Sequence, residues 1–216
     1  MIKMSTSINT FFISFEGIDG CGKSTQAKKL ISRLNKCSID VCHVREPGGT
    51  DISEEIRSIL LSNRDSEMAG RCEALLMSAS RAQLTKNIII PSLKNGKWVI
   101  ADRYSDSTLA YQGGGRGIDF KSLIELNHFA TYSIQPDISF FIDIEAEEGF
   151  NRRKHLPSDR IESAGVDFQK EIRNKYFEII DYFKDRYICI DGNLDIDTIS
   201  NMIWKEIKKK TGVKDS

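Results

Sequence analysis

Gly17-Ile18-Asp19-Gly20-Cys21-Gly22-Lys23-Ser24-Thr25 restricts what this chain can fold into more than any other stretch. It matches the spacing G-x-x-x-x-G-K-[ST], in which glycines free the backbone to turn successive N–H groups inward on an anion. Residues 11–15 before it read as a short buried strand, and residues 26–34 after it as an amphipathic helix. Strand, glycine loop and helix together are what a phosphate cradle requires, because the helix turns its positive N-terminal end toward the same anion. Lys23 adds a point charge for the β- and γ-phosphates, and the Ser24 hydroxyl is placed to ligate Mg²⁺.

The rest of the chain alternates short apolar strands with helices. Residues 40–44, 98–101, 138–142 and 187–190 read as strands. Residues 67–94, 120–131, 168–183 and 196–210 read as helical, the first of them long and bent near Pro91, with Leu75, Leu76, Leu84, Ile88 and Leu93 as core positions. Asp51 or Ser53 is expected to cap a helix that buries Ile52, Ile56, Ile59 and Leu60. Such alternation predicts an α/β fold, a parallel sheet covered on both faces. At 216 residues one domain suffices, and no repeat or linker divides residues 11–216. Residues 1–10 are expected to form a flexible N-terminal extension.

Composition excludes several alternatives. Lys plus Arg and Asp plus Glu are both 31, a neutral balance that argues against a dedicated nucleic-acid binder. Cys21, Cys37, Cys42, Cys72 and Cys189 are odd in number and form no C-x-x-C pair, which fits a reducing, cytoplasmic compartment. His43, His128 and His155 are isolated, so zinc chemistry is unsupported. No apolar run approaches the ~18 residues of a membrane span, and the N-terminus lacks the apolar core of a signal peptide.

A phosphate loop alone does not separate kinases, GTPases and motor ATPases. A metal-side carboxylate is also needed, and Asp102 and Asp143 both follow apolar strands, where ligands bind at the carboxyl edge of open α/β sheets. Arg103 beside Asp102 supplies charge for a phosphoryl group and favours Asp102 as the partner of Ser24. Arg45, Arg57, Arg81, Arg103, Arg152, Arg153 and Arg160 each lie near a predicted break or loop edge and together suggest a second phosphate subsite. A GTP-dependent switch is disfavoured, because the two Asn-Lys pairs continue as Cys37-Ser38 and Tyr176-Phe177 instead of completing Asn-Lys-x-Asp.

Arg45-Glu46-Pro47-Gly48-Gly49-Thr50, Asp102-Arg103-Tyr104, the stretch from Ser107 through Tyr111-Gln112 to Gly117, and Asp159-Arg160-Ile161-Glu162 resemble, in order, the motifs of bacterial thymidylate kinases. The resemblance implies a P-loop nucleoside-monophosphate-kinase fold with a five-stranded parallel sheet flanked by helices. It also implies transfer of the ATP γ-phosphate to dTMP with Mg²⁺, giving dTDP and ADP, and a homodimer.

Position by position, the resemblance gives residues 17–25 to the ATP phosphates and Asp19 to the neighbourhood of the acceptor sugar. Arg57 and Arg103 are implied to grip the dTMP phosphate, Arg81 to bond the thymine edge, Ser107 and Thr108 to border its pocket, and Tyr111 to crowd out a ribose 2′-hydroxyl. Met77 stands where the family commonly stacks a phenylalanine on the base; a thioether packs on a ring more weakly. Gly20 stands where some members carry a catalytic arginine, which directs attention to a basic lid at residues 151–162 holding Arg152, Arg153, Lys154 and Arg160. Lys23, Arg103 and these lid arginines are the implied catalytic set. The nearest rival is a kinase of the same fold acting on dUMP or UMP.

Overall fold

The computed structural model describes residues 10–155 and 159–215. Among the described residues five strands form one parallel sheet: β1 (Phe12–Glu16), β2 (Val41–Arg45), β3 (Trp98–Asp102), β4 (Ile138–Asp143) and β5 (Tyr187–Asp191), in the order β2-β3-β1-β4-β5. The three central strands are near-continuous apolar runs because helices cover both of their faces. Alternate residues serve different cores: Ile13, Phe15, Trp98 and Ile100 join the larger one, and Phe12, Val99, Ala101 and Tyr104 the smaller. Since β1 lies between β3 and β4, the chain reverses direction across the sheet at the C-terminal end of β1, the place where such sheets open a crevice.

Helix α1 (Lys23–Lys36) follows the phosphate loop. Thr50 caps α2 (Asp51–Leu61), its hydroxyl accepting from the Ser53 N–H at 3.2 Å; neither Asp51 nor Ser53 is the cap. The expected apolar stripe on α2 is buried only in part. Ser53 and Leu60 face inward, whereas Ile52 and Ile59 are exposed. Helix α3 (Gly70–Leu84) runs through a π-helical turn (Thr85–Ile89) into α4 (Ile90–Lys94). That widened turn is a physical answer to Pro91, which has no N–H to continue an α-helical ladder. Leu84 is buried and Ile88 and Leu93 pack partly on the smaller core, but Leu75 is 59% exposed and is no core residue.

Helix α5 (Ser105–Thr108) passes into a π-helical turn (Leu109–Gly114), so the glycine-rich stretch begins inside ordered helix. The remaining helices are α6 (Phe120–Ala130), α7 (Ala146–Arg153), α8 (Gly165–Tyr182) and α9 (Ile196–Thr211), with a short 3₁₀ turn at Glu162–Ala164. The N-terminal extension expected over residues 1–10 lies, Thr10 apart, outside the described residues, as do positions 156–158 of the expected lid. No described helix is long and apolar enough to cross a membrane.

Candidate active site

A cleft of about 480 Å³ opens at the carboxyl ends of β1 and β3. The phosphate loop forms one wall. Gly17, Gly20 and Gly22 take φ values of 140°, 84° and 100°, a region closed in practice to side chains, which explains their spacing. Lys23 is buried, and its ammonium donates to the carbonyls of Gly17 (3.2 Å) and Ile18 (2.7 Å) and lies 3.5 Å from Cys21 Sγ. Thr25 also borders the cleft.

The Ser24 hydroxyl donates to Asp102 Oδ2, which brings the loop hydroxyl and the carboxylate at the end of β3 together on the same wall. A hydroxyl and a carboxylate side by side are hard oxygen donors of the kind Mg²⁺ prefers. Asp143, the competing carboxylate, is taken up by Arg173 through a two-bond fork of 2.7 and 2.9 Å.

At the loop apex Asp19 and Arg103 form the electrostatic centre. Arg103 Nη2 donates to Asp19 Oδ1 at 2.5 Å and to the Tyr111 hydroxyl at 2.8 Å; Nη1 donates to the Gly17 carbonyl at 2.9 Å. The guanidinium also lies over the Tyr111 ring, 4.9 Å from its centroid. To aim its side chain back over the loop, Arg103 adopts a left-handed backbone (φ 71°) while its N–H still bonds the Phe15 carbonyl. This conformation costs a non-glycine residue roughly 1–2 kcal/mol, which the side-chain bonds offset. Burial pushes the Asp19 carboxyl up, but Arg103, Lys23 and Arg153 outweigh it and hold it down at about 2. Asp19 is therefore an anion at neutral pH, further fixed by Tyr111 (3.1 Å) and Gln169 (3.2 Å).

Glu16 is fully buried below this centre and accepts from the Tyr104 N–H, the Ser107 hydroxyl and the Tyr176 hydroxyl at 2.8–2.9 Å. Burial and then the Asp106 carboxylate push its carboxyl up to about 7, against the bonds from Ser107 and Tyr176.

The opposite wall comes from α2, α3 and α5. Met77 and Arg81 are one helical turn apart on α3 and so share a face, which here is the cleft face. Arg81 is only 2% exposed. It donates to Glu46 Oε2 (2.8 Å), Thr108 Oγ1 (2.7 Å), Asn127 Oδ1 (3.1 Å) and the Tyr104 carbonyl (3.2 Å), and Nη2 approaches Glu46 again at 2.6 Å. Arg57 donates to the Pro47 carbonyl at 2.8 Å. Burial and the nearby Arg45 charge both push the Arg57 guanidinium down. Two cations held close at a cleft wall mark a subsite that an anion would stabilise.

Of the lid arginines, Arg152 and Arg153 line the cleft. Arg153 pairs with Glu162 and lies 3.6 Å from Asp19 Oδ1. Arg152 donates to the Gly192 carbonyl from both terminal nitrogens at 3.1 Å. Arg160 faces elsewhere. Its Nε donates to the Leu60 carbonyl at 2.8 Å, and Nη2 makes an ion pair of 2.7 Å with Glu73, which also holds Arg116 and Gln112.

Lys154, the other basic residue expected in the lid, is exposed and does not line the cleft, whereas the remaining residues expected at the site stand at this cleft or directly behind the loop, where Ile18 and Cys21 are buried. Sequence reasoning passed over Glu46, Glu73, Gln112 and Gln169. The available signal for Glu46 and Gln112 was their place inside the quoted motifs; Glu73 and Gln169 carried none, since their partners are distant in the chain.

The thymidylate kinase family profile matches residues 15–203. The thymidylate kinase of Chlorobium phaeobacteroides is 44% identical over 208 residues, covering 92% of this chain and 94% of the relative. That of Fervidobacterium nodosum is 46% identical over 194 residues (90% and 96%), and that of Thermosipho africanus 45% over 198 (92% and 98%). The chain belongs to the thymidylate kinase family.

Proposed function

We propose that this cleft transfers the γ-phosphate of ATP to dTMP, giving dTDP and ADP, with donor and acceptor phosphates meeting beside Asp19. The observation that carries this reading is the meeting in one cleft of the Gly17–Thr25 loop with a separate arginine-lined wall formed by Arg57, Arg81 and Arg103. The dTMP phosphate oxygen is already anionic, so no strong base is needed. Alignment and charge neutralisation supply the rate. In this reading residues 17–25 hold the ATP phosphates, Lys23 neutralises charge at the transferred group, and Arg57 and Arg103 orient the acceptor phosphate. Met77, Arg81, Ser107 and Thr108 border the base, and Tyr111 excludes a 2′-hydroxyl. Ser24 and Asp102 would hold Mg²⁺, which when bound neutralises phosphate charge.

Residues 11–216 act as one kinase domain, with the lid at about residues 151–162. Within that lid, Arg153 faces the transferred group, Arg152 steadies the donor side near Gly192, and Arg160 anchors the segment to α2 and α3. Their different partners support this division. Alanine at Arg153 is therefore expected to lower kcat at least about tenfold with little change in KM. Alanine at Arg160 should act mainly on KM or stability. Equal kcat losses in the two variants, read by steady-state kinetics, would contradict the assignment.

A homodimer through α2, α3 and α6 completes the reading. Its support is the exposed Ile52, Ile59, Leu75 and Phe129, the last 82% exposed, on helices that pack against one another. A cytoplasmic location is supported by five cysteines that are all free. The substrate assignment is tested by comparing kcat/KM for dTMP, dUMP and UMP. Preference for dTMP is expected; preference for UMP would give the cleft to the rival kinase activity.

A further inference from the structure

We propose that Gly149 is a positioning residue for phosphoryl transfer: it lets α7 seat backbone-to-backbone on the Asp19–Gly20 peptide of the phosphate loop, and this seat sets where Arg153 stands. A Cβ on Gly149 would come within 2.5 Å of the Asp19 carbonyl oxygen and 3.4 Å of both Ile18 and Ile144 Cδ1. A Cβ on Gly20 would overlap the Gly149 carbonyl oxygen and stand 3.0 Å from its Cα. Gly149 thus occupies the space a side chain on Gly20 would need, the Asp19 carbonyl occupies the space a side chain on Gly149 would need, and both of these obstacles are backbone that cannot swing away.

Glycine inside a helix is about 1 kcal/mol worse than alanine, and α7 has only eight residues in which to absorb that cost. The seat accounts for it. Arg152 and Arg153 lie three and four residues beyond Gly149, one turn along the same side of α7, so a shift of the helix at Gly149 moves both. The loop side is equally constrained, since Asp19 is already bonded to Arg103, Tyr111 and Gln169. Contact between two rigid backbones transmits the position of one to the other.

The same contact explains the residue at position 20. A side chain there would be driven into the Gly149 carbonyl as well as strained at φ 84°. An arginine at position 20 is therefore closed to this chain while α7 keeps its seat, which leaves α7 to place an arginine beside the loop apex. The inference rests on the reading that Arg153 faces the transferred group.

Its test is a double-mutant cycle of Gly149→Ala and Arg153→Ala, with dTMP phosphorylation and thermal melting measured for all four proteins. Misplacing a reacting group by about 1 Å costs up to about 100-fold in rate, so Gly149→Ala should lower kcat by roughly 10- to 100-fold. Its KM for dTMP should stay within about threefold of wild type. Its melting temperature should fall modestly at most, because the helix propensity gained with alanine partly offsets the cost of the displaced contact. The double variant should be no slower than Arg153→Ala alone, the non-additivity expected when one residue acts through the other. Wild-type kcat in Gly149→Ala, additive losses, or loss of the folded state would each make Gly149 a packing residue and overturn the proposal. Wild-type kcat in Arg153→Ala would overturn the role of Arg153 itself, and the seat with it. A large Arg153→Ala loss beside an indifferent Gly149→Ala would sink the seat alone.

Discussion

Replacing Lys23 with alanine is expected to lower kcat by about two orders of magnitude or more, the scale of losing a preorganised donor to a developing anion. The ammonium is buried within the loop and held by the Gly17 and Ile18 carbonyls, so its position is fixed by the fold. A cation fixed in advance costs no reorganisation during the reaction, and a lysine in bulk water could not replace it. Lys23→Met, which keeps the apolar stem, should be as slow as Lys23→Ala if charge is what matters. Single-turnover rates at saturating ATP and dTMP read the effect directly. Turnover within threefold of wild type in both variants would remove the loop lysine from the mechanism.

Arg103→Lys is expected to lower kcat/KM for dTMP by about 30- to 150-fold, equivalent to the 2–3 kcal/mol of one or two charge-assisted bonds. The change retains the positive charge and removes the planar fork. That fork spans Gly17, Asp19 and Tyr111 at once, which a point ammonium cannot do. Lysine would inherit the left-handed backbone and its cost without the bonds that offset it. Asp19 would lose the hydrogen bond from the Arg103 guanidinium, one of the contributions that hold its carboxyl down against burial. Kinetics within threefold of wild type would show that charge alone suffices at this position.

The sheet was legible because buried parallel strands are uninterrupted apolar runs, and β1, β3 and β4 are of that kind. The loop was legible because its chemistry fixes spacing within one short stretch. Asp102 was legible for a related reason: a carboxylate at the end of an apolar strand has few places to be except the sheet edge. The α2 stripe misled because periodicity reports an apolar face without saying what covers it, and Ile52 and Ile59 face away from this chain's own core. The Arg81–Glu46 and Arg160–Glu73 pairs join residues 35 and 87 positions apart, which no local pattern encodes. Gly149 did leave a signal, a lone glycine within a short helical pattern, and its reason becomes visible only when Gly20 stands opposite it.

Movement of the ATP γ-phosphate onto dTMP is the central event of the proposed reaction. Incubating the protein with ATP labelled at the γ-phosphate, Mg²⁺ and dTMP, then separating the nucleotides, reads that event without coupling enzymes. Label appearing in dTDP in step with ADP formation is the predicted result, with Lys23→Ala suppressing both. Label released as free phosphate, or transferred to UMP in preference to dTMP, would contradict it.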